Sequence, residues 1–317
     1  MLHDLIQLIG ALVPVFVLVA VGWGTRRVGL MGERGLDEFS RVVYWILLPT
    51  QLFMAIGAVD VRQHFDPRAL AAAIAGFVLG LVGCWFATAG LGPAARGSIV
   101  SGVARPNAAF IGLPVVQLVA ATMPEAEAKA LVTAYSVMLG VMVACFNVGA
   151  VIAFLLPHHG LGRDGMLRTL RELPRNPLIV ASMLGVVMGL IAPGGMRGTV
   201  AGRTLDLLAG AAIPAALLMT GMELDFRRLH RNTRLLALAA IGKLVVVPAL
   251  TFAVGLLLGL DRATLMAAVM MMACPVAMAS TPMARLLGGD AELMAAFIIV
   301  TTVAAPLTLL GWLLVLR

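Results

Sequence analysis

Residues 97–121 form an apolar stretch long enough to cross a lipid bilayer, yet a cation, an amide and two prolines lie at its centre. The decapeptide reads Arg105-Pro106-Asn107-Ala108-Ala109-Phe110-Ile111-Gly112-Leu113-Pro114. Proline lacks an N–H and opposes the preceding helical turn. In a helical setting Pro106 would free the carbonyl of Gly102, and Pro114 that of Phe110. Bare backbone at membrane depth is tolerated only where protein or a water-filled cavity receives it. A spanning helix broken beside polar groups is how many secondary transporters build a substrate site.

The surrounding chain fits that setting. Of 317 residues 61% are hydrophobic and 12% charged, with mean hydropathy +1.01. Soluble domains carry about 25% charged residues, so the composition indicates a polytopic membrane protein. The net charge of +7 does not indicate a nucleic-acid partner, because the basic residues sit in short loops between apolar segments and aromatics are only 6%. Ten apolar segments of spanning length succeed one another, at about 5–25, 37–59, 69–91, 97–121, 130–156, 177–193, 203–223, 235–259, 263–286 and 292–316. The first lacks a basic leader and a small-residue cleavage site, so it is expected to remain as a membrane helix. With the N-terminus outside, fourteen of the 23 Arg and Lys fall on the cytoplasmic side and seven outside, with Arg105 and Lys243 within the membrane. That bias places both termini outside and requires an even number of spans.

An internal repeat is expected as well. Pro49-Thr50-Gln51-Leu52-Phe53-Met54 resembles Pro214-Ala215-Ala216-Leu217-Leu218-Met219, and at the same spacing Asp60 and Arg62 fall on Asp225 and Arg227. The proline pair 106/114 in the fourth segment has a counterpart at 275/282 in the ninth. Five spans per half make the repeat inverted: residues 1–157, a cytoplasmic linker 158–176, and residues 177–317. The second break, Ala273-Cys274-Pro275-Val276-Ala277-Met278-Ala279-Ser280-Thr281-Pro282, would cross the first near the midplane. Half-helix N-termini there present N–H groups and positive dipole ends suited to an anion. Asn107 can donate to a carboxylate, and Ser280 and Thr281 can add hydroxyls. Arg105 can attract a carboxylate, while Lys243 either serves the substrate or snorkels to the interface.

The sequence Arg-Pro-Asn-Ala-Ala-Phe-Ile-Gly-Leu-Pro at 105–114 resembles the fourth helix of the auxin efflux carrier family, which includes plant PIN proteins and bacterial dicarboxylate permeases. Residues 273–282, then Gly288-Gly289-Asp290 and Ala305-Pro306-Leu307, are similar to its ninth and tenth helices, and Leu47-Leu48-Pro49 to its second. The resemblance implies an all-α, ten-helix fold like that of sodium/bile-acid symporters and sodium/proton antiporters. Helices 1, 2, 6 and 7 would form a scaffold, and helices 3–5 and 8–10 a transport domain moving by an elevator-type exchange. The carboxylate would bind at the crossing of helices four and nine, with Asn107 as the binding asparagine. Pro106, Gly112 and Pro114 on one side, and Cys274, Pro275 and Val276 on the other, complete the expected site. Relatives often have a polar residue where Val276 stands. A small organic acid such as malate or malonate is the implied substrate, a homodimer the implied assembly and a bacterial inner membrane the implied location.

No Asp, Glu or His lies in the middle of any segment, and the five histidines fall at segment ends or in loops. That pattern argues against an intramembrane metalloenzyme and against a carboxylate-based proton antiporter. The three cysteines have no metal-ligand spacing, and no phosphate-cradling glycine loop is present. No enzyme activity and no cofactor are expected. The alternative to a carrier is a membrane sensor or scaffold that binds an organic acid without moving it.

Overall fold

The computed structural model describes residues 14, 17–58, 66–160, 162–164, 167, 171, 173–194, 196, 198–223 and 233–316. Asp60, Arg62, Asp225 and Arg227, and with them that part of the expected repeat, lie outside the described residues, as do His3, His64 and His230. The described regular elements are helices: α1 (17–27), α2 (Glu33–Val42), α3 (Leu48–Gly57), α4 (Pro67–Ala87), α5 (Pro93–Ala104), α6 (Leu113–Ala120) and α7 (Glu125–His159). The order continues with α8 (Pro177–Ile191), α9 (Val200–Glu223), α10 (Thr233–Ile241), α11 (Val247–Leu257), α12 (Arg262–Ala273), α13 (Ser280–Leu286) and α14 (Ala291–Leu316).

Among the described residues, six helical runs are long and apolar enough to cross a membrane: Glu33–Gly57, Pro67–Ala87, Glu125–His159, Val200–Met222, Thr233–Leu257 and Ala291–Leu316. Pro177–Ile191 and Arg262–Ala273 are shorter apolar helices. Helix α12 is buried at every position from Thr264 to Ala273. A helix that is apolar all round belongs in an interior, and α12 lies there against α7, α11 and α14. By contrast Leu207 and Leu257 are 79% and 85% exposed, as side chains facing lipid would be.

Proline placement explains the local irregularities. Three π-helical turns, Val43–Leu47, Ala108–Gly112 and Gly242–Val246, each end two residues before a proline: Pro49, Pro114 and Pro248. A widened turn accommodates the missing donor and the ring's clash with the preceding turn. Pro157, Pro214 and Pro306 instead lie inside helices that remain α. Pro49 and Pro214, aligned by the sequence repeat, therefore differ in backbone form. Three helix starts among the described residues are fixed by carboxylates, one of them that of α14, where Asp290 accepts from the Leu293 N–H (3.0 Å). Asp66 accepts from the Arg68 N–H (2.8 Å), and Asp261 accepts from the Thr264 N–H (3.1 Å).

Helices α1 and α9 approach to backbone contact through Gly22 and Gly221. A Cβ on Gly22 would overlap the Leu218 carbonyl, and one on Gly221 the Val19 carbonyl. In a membrane, where apolar surface gains little by leaving lipid, such small-residue seams are a main source of helix association. At the end expected to be cytoplasmic, Arg285 of α13 reaches Glu33 (2.7 Å) and Asp37 (2.8 Å) of α2, and Arg26 also pairs with Glu33.

Candidate functional site: two breaks joined by main chain

The two proline motifs act first on their own backbone. A residue before proline is driven out of the helical region towards extended conformations. Arg105, before Pro106, accordingly adopts φ −119°, ψ 90°, and α5 stops at Ala104. Cys274, before Pro275, adopts φ −59°, ψ 146°, and α12 stops at Ala273. Two short extended segments result, and they pair antiparallel about Pro106 and Val276. The Asn107 N–H donates to the Pro275 carbonyl (2.8 Å), and the Ala277 N–H donates to the Arg105 carbonyl (2.9 Å). Polar main chain exposed by each break is thus received by the other, as an apolar surrounding requires.

Side chains from other helices hold the breaks in place. The Tyr135 hydroxyl of α7 donates to the Ala108 carbonyl (2.8 Å). Lys243, in the π turn between α10 and α11, is fully buried, and its Nζ donates to the Met272 carbonyl (3.0 Å). A cation on the last carbonyls of α12 complements the negative end of that helix. Lys243 therefore ties the second break and does not snorkel to an interface. The Val276 N–H donates to Thr301 Oγ1 (3.2 Å).

Beside the joint lies a cavity of about 70 Å³. The first break contributes Arg105, Pro106, Asn107, Ala108 and Ala109, and the second Ala277, Met278 and Ala279. Opposite walls come from Gln51, Leu52, Ala55 and Ile56 of α3, from Leu139, Gly140, Val143, Phe146 and Asn147 of α7, and from Ile213 of α9. Arg105 is 5% exposed, and its Nη1 donates to the Met283 thioether (2.7 Å). No Asp or Glu is among these lining residues, and no carboxylate pairs with Arg105 among the described residues. Asn107 is 3% exposed and its Nδ2 has no hydrogen-bond partner. The helical run 108–120 starts there, so its positive dipole end faces the same space. A buried cation whose partner is a thioether, together with an amide nitrogen that has no acceptor, forms an arrangement that an anion could complete.

A larger cavity of about 350 Å³ shares Gln51 and Ala55 with this one and extends past Gly57, Met188 and Met196 to Asp206. Gln51 and Ala55 thus form the threshold between the two spaces.

The structure brings together only part of the expected residue set. Arg105, Pro106 and Asn107 line the cavity. Gly112 instead lies where a Cβ would overlap the Tyr135 hydroxyl, so it makes room for the tyrosine that ties the break. Pro114 opens α6 behind the π turn. Cys274 donates to the Met270 carbonyl (3.2 Å) inside the protein. Val276 is fully buried, with Cγ1 3.6 Å from the Cβ position of Gly102, and Pro275 takes part through its carbonyl. Ser280 and Thr281 are fully buried away from the cavity, and Thr281 bonds to Thr220 of α9 (3.0 Å). Sequence reasoning passed over Gln51, Tyr135 and Asn147. Asn147 carried the signal that singled out Asn107, an amide in mid-segment, but without a proline to draw attention to it. Among the described residues no group of His, Cys, Asp and Glu is placed to hold a metal ion.

A family model described as "Membrane transport protein" matches residues 7–164 and 164–313. A curated relative from Methanothermobacter thermautotrophicus, named "Uncharacterized transporter", is 25% identical over 306 residues, covering 95% of this chain and 96% of its own. With that match across nearly the whole chain, and with the long apolar helices, this is an integral membrane protein that belongs to the membrane transport protein family, the auxin efflux carrier family of its proline–asparagine motif.

Proposed function

We propose that this transporter is a secondary carrier of small organic anions, mono- or dicarboxylates, whose carboxylate binds Arg105 and Asn107 beside the joined breaks. The carrying observation is Arg105, a buried cation that lines the cavity and has a thioether but, among the described residues, no carboxylate as partner. Burying a charge without a counter-ion is costly, and an anionic substrate supplies the counter-ion. Asn107 Nδ2 adds a second donor.

In this reading ten spans form a 5+5 inverted repeat with both termini outside. The α5/α6 pair and the α12/α13 pair are the broken, crossing fourth and ninth helices. The two family matches meet at residue 164, inside the linker 158–176, which supports that division. Helices α1 to α3, α8 and α9 are the scaffold, and the remainder a transport domain carrying the site in an elevator-type movement. Residues from both groups line the cavity, which supports a site at their boundary. A homodimer in a bacterial inner membrane completes the proposal.

Purified protein reconstituted in sealed vesicles is expected to take up labelled malate or malonate under an imposed potential. Asn107→Ala should weaken binding about 10- to 100-fold, the loss of one hydrogen bond to a charged group. Normal uptake by a folded Asn107→Ala protein would remove the asparagine from the site. Binding without flux would identify a receptor instead.

The ion pairs from Arg285 to Glu33 and Asp37 join the proposed transport domain to the scaffold on the cytoplasmic side, where they hold that side closed. Exposed pairs contribute about 1 kcal/mol or less, so Arg285→Gln should raise the inward-open population by up to about fivefold. Labelling of a cysteine placed at Ala277, in a background lacking Cys84, Cys145 and Cys274, from the cytoplasmic side would measure it. An unchanged labelling rate would show that the latch does not set the equilibrium.

A further inference from the structure

We infer that Asn147 selects the substrate by a second group, and that the site is built for small hydroxycarboxylates. The inference rests on the carboxylate site at Arg105 and Asn107. Asn147 lies on α7, 1% exposed, and lines the same cavity. Its Nδ2 donates to the Val143 carbonyl (2.8 Å) and to Ser182 Oγ (3.3 Å). Both partners fix the amide's orientation. A carbonyl can only accept, and the Ser182 hydroxyl has already given its hydrogen to the Leu178 carbonyl (2.7 Å). Both Nδ2 hydrogens are thereby used. The remaining atom, Oδ1, is buried with no hydrogen-bond partner.

The cavity thus offers donors at Arg105 and Asn107 and an oriented acceptor at Asn147, set in walls that are otherwise mostly apolar. A plain carboxylate satisfies the donors and leaves Oδ1 stripped of water and unpaired. A hydroxyl elsewhere on the acid satisfies it. An ammonium group would also donate, but no Asp or Glu lines the cavity to balance its charge. A neutral hydroxyl is the donor that fits. Sites built to hydrogen-bond a substrate hydroxyl discriminate strongly against the analogue lacking it, because their own polar group is left unpaired.

The test uses matched acids that differ by one hydroxyl, malate against succinate and lactate against propionate, in calorimetric binding to the purified protein. The expected result is that, within each pair that binds, the hydroxy acid binds about 10- to 100-fold more tightly. In Asn147→Leu the ratio should fall to near one while the deoxy acid binds at least as well as before. Equal affinities within the pairs in the unaltered protein would overturn the inference, with no variant needed, and would leave the carboxylate site standing. A ratio preserved in a folded Asn147→Leu protein would overturn it too. If no acid of either pair binds, the carboxylate reading itself fails and takes the inference with it.

Discussion

Replacing Arg105 with methionine should abolish most organic-anion binding and at the same time make the ligand-free protein more stable. The two effects have one cause. The guanidinium is buried with a thioether as its hydrogen-bond partner, and no Asp or Glu is among the residues that line the cavity with Arg105. With an anion bound, it makes a charge-assisted contact in a water-poor space, and its loss should cost about 3 kcal/mol, or about 150-fold in affinity. Without the anion, the charge is a burden, and apolar replacement of buried charges often stabilises by about 1–4 kcal/mol. Calorimetry with malate and lactate and thermal unfolding of the ligand-free protein in detergent read the two effects separately. Arg105→Lys should fall between, since an ammonium keeps the charge but loses the planar fork that matches a carboxylate. Unaltered binding by Arg105→Met would remove the guanidinium from the site, and a lower ligand-free midpoint would show a structural role instead.

The largest stability effect is expected at the seam between α1 and α9. Gly221→Val places a branched side chain against the Val19 carbonyl, with the Trp23 nitrogen 2.8 Å from the Cβ position. The obstruction is main chain on a neighbouring helix, so no rotamer change relieves it and the helices must part. Overpacking within a core costs about 1–3 kcal/mol and occasionally more, and here the upper end or beyond is expected, seen as a lowered unfolding midpoint. Gly22→Val meets the Leu218 carbonyl across the same seam and should act alike. Because both substitutions open one contact, the double variant should cost less than their sum. An unchanged midpoint in Gly221→Val would mean that α1 and α9 do not depend on this approach.

How much was legible in the sequence depends on whether a local rule decided the outcome. The breaks at 105–107 and 274–279 were, because an X-Pro step disfavours the helix locally and polar or small residues flank it there, whereas Pro157, Pro214 and Pro306 stand in helices that continue. Residues joined by tertiary packing were not. Nothing in the spelling of residues 280 and 281 says that Thr281 meets Thr220 rather than a substrate. Lys243 could equally have snorkelled, but the carbonyl of Met272 lies within its reach. Hydropathy also set segment edges too tightly at α7. That helix continues through Pro157 to His159, because its final turns bind protein, with His158 Nε2 2.9 Å from the Gly288 carbonyl. Asn147 was visible as an amide in mid-segment, but its unused oxygen is evident only from the partners of its nitrogen.

The bond between the two breaks is made by peptide groups, which every amino acid possesses. Val276 illustrates the consequence. A residue at the heart of the joint gives its N–H to Thr301 and packs its side chain away from the cavity, while its neighbours' peptide groups make the joint, so its polarity is not what holds the halves together. Side chains that line the cavity, such as Ala277, Met278 and Asn147, can therefore change while the joint itself persists. A fold of this kind can change what it recognises without first having to be rebuilt.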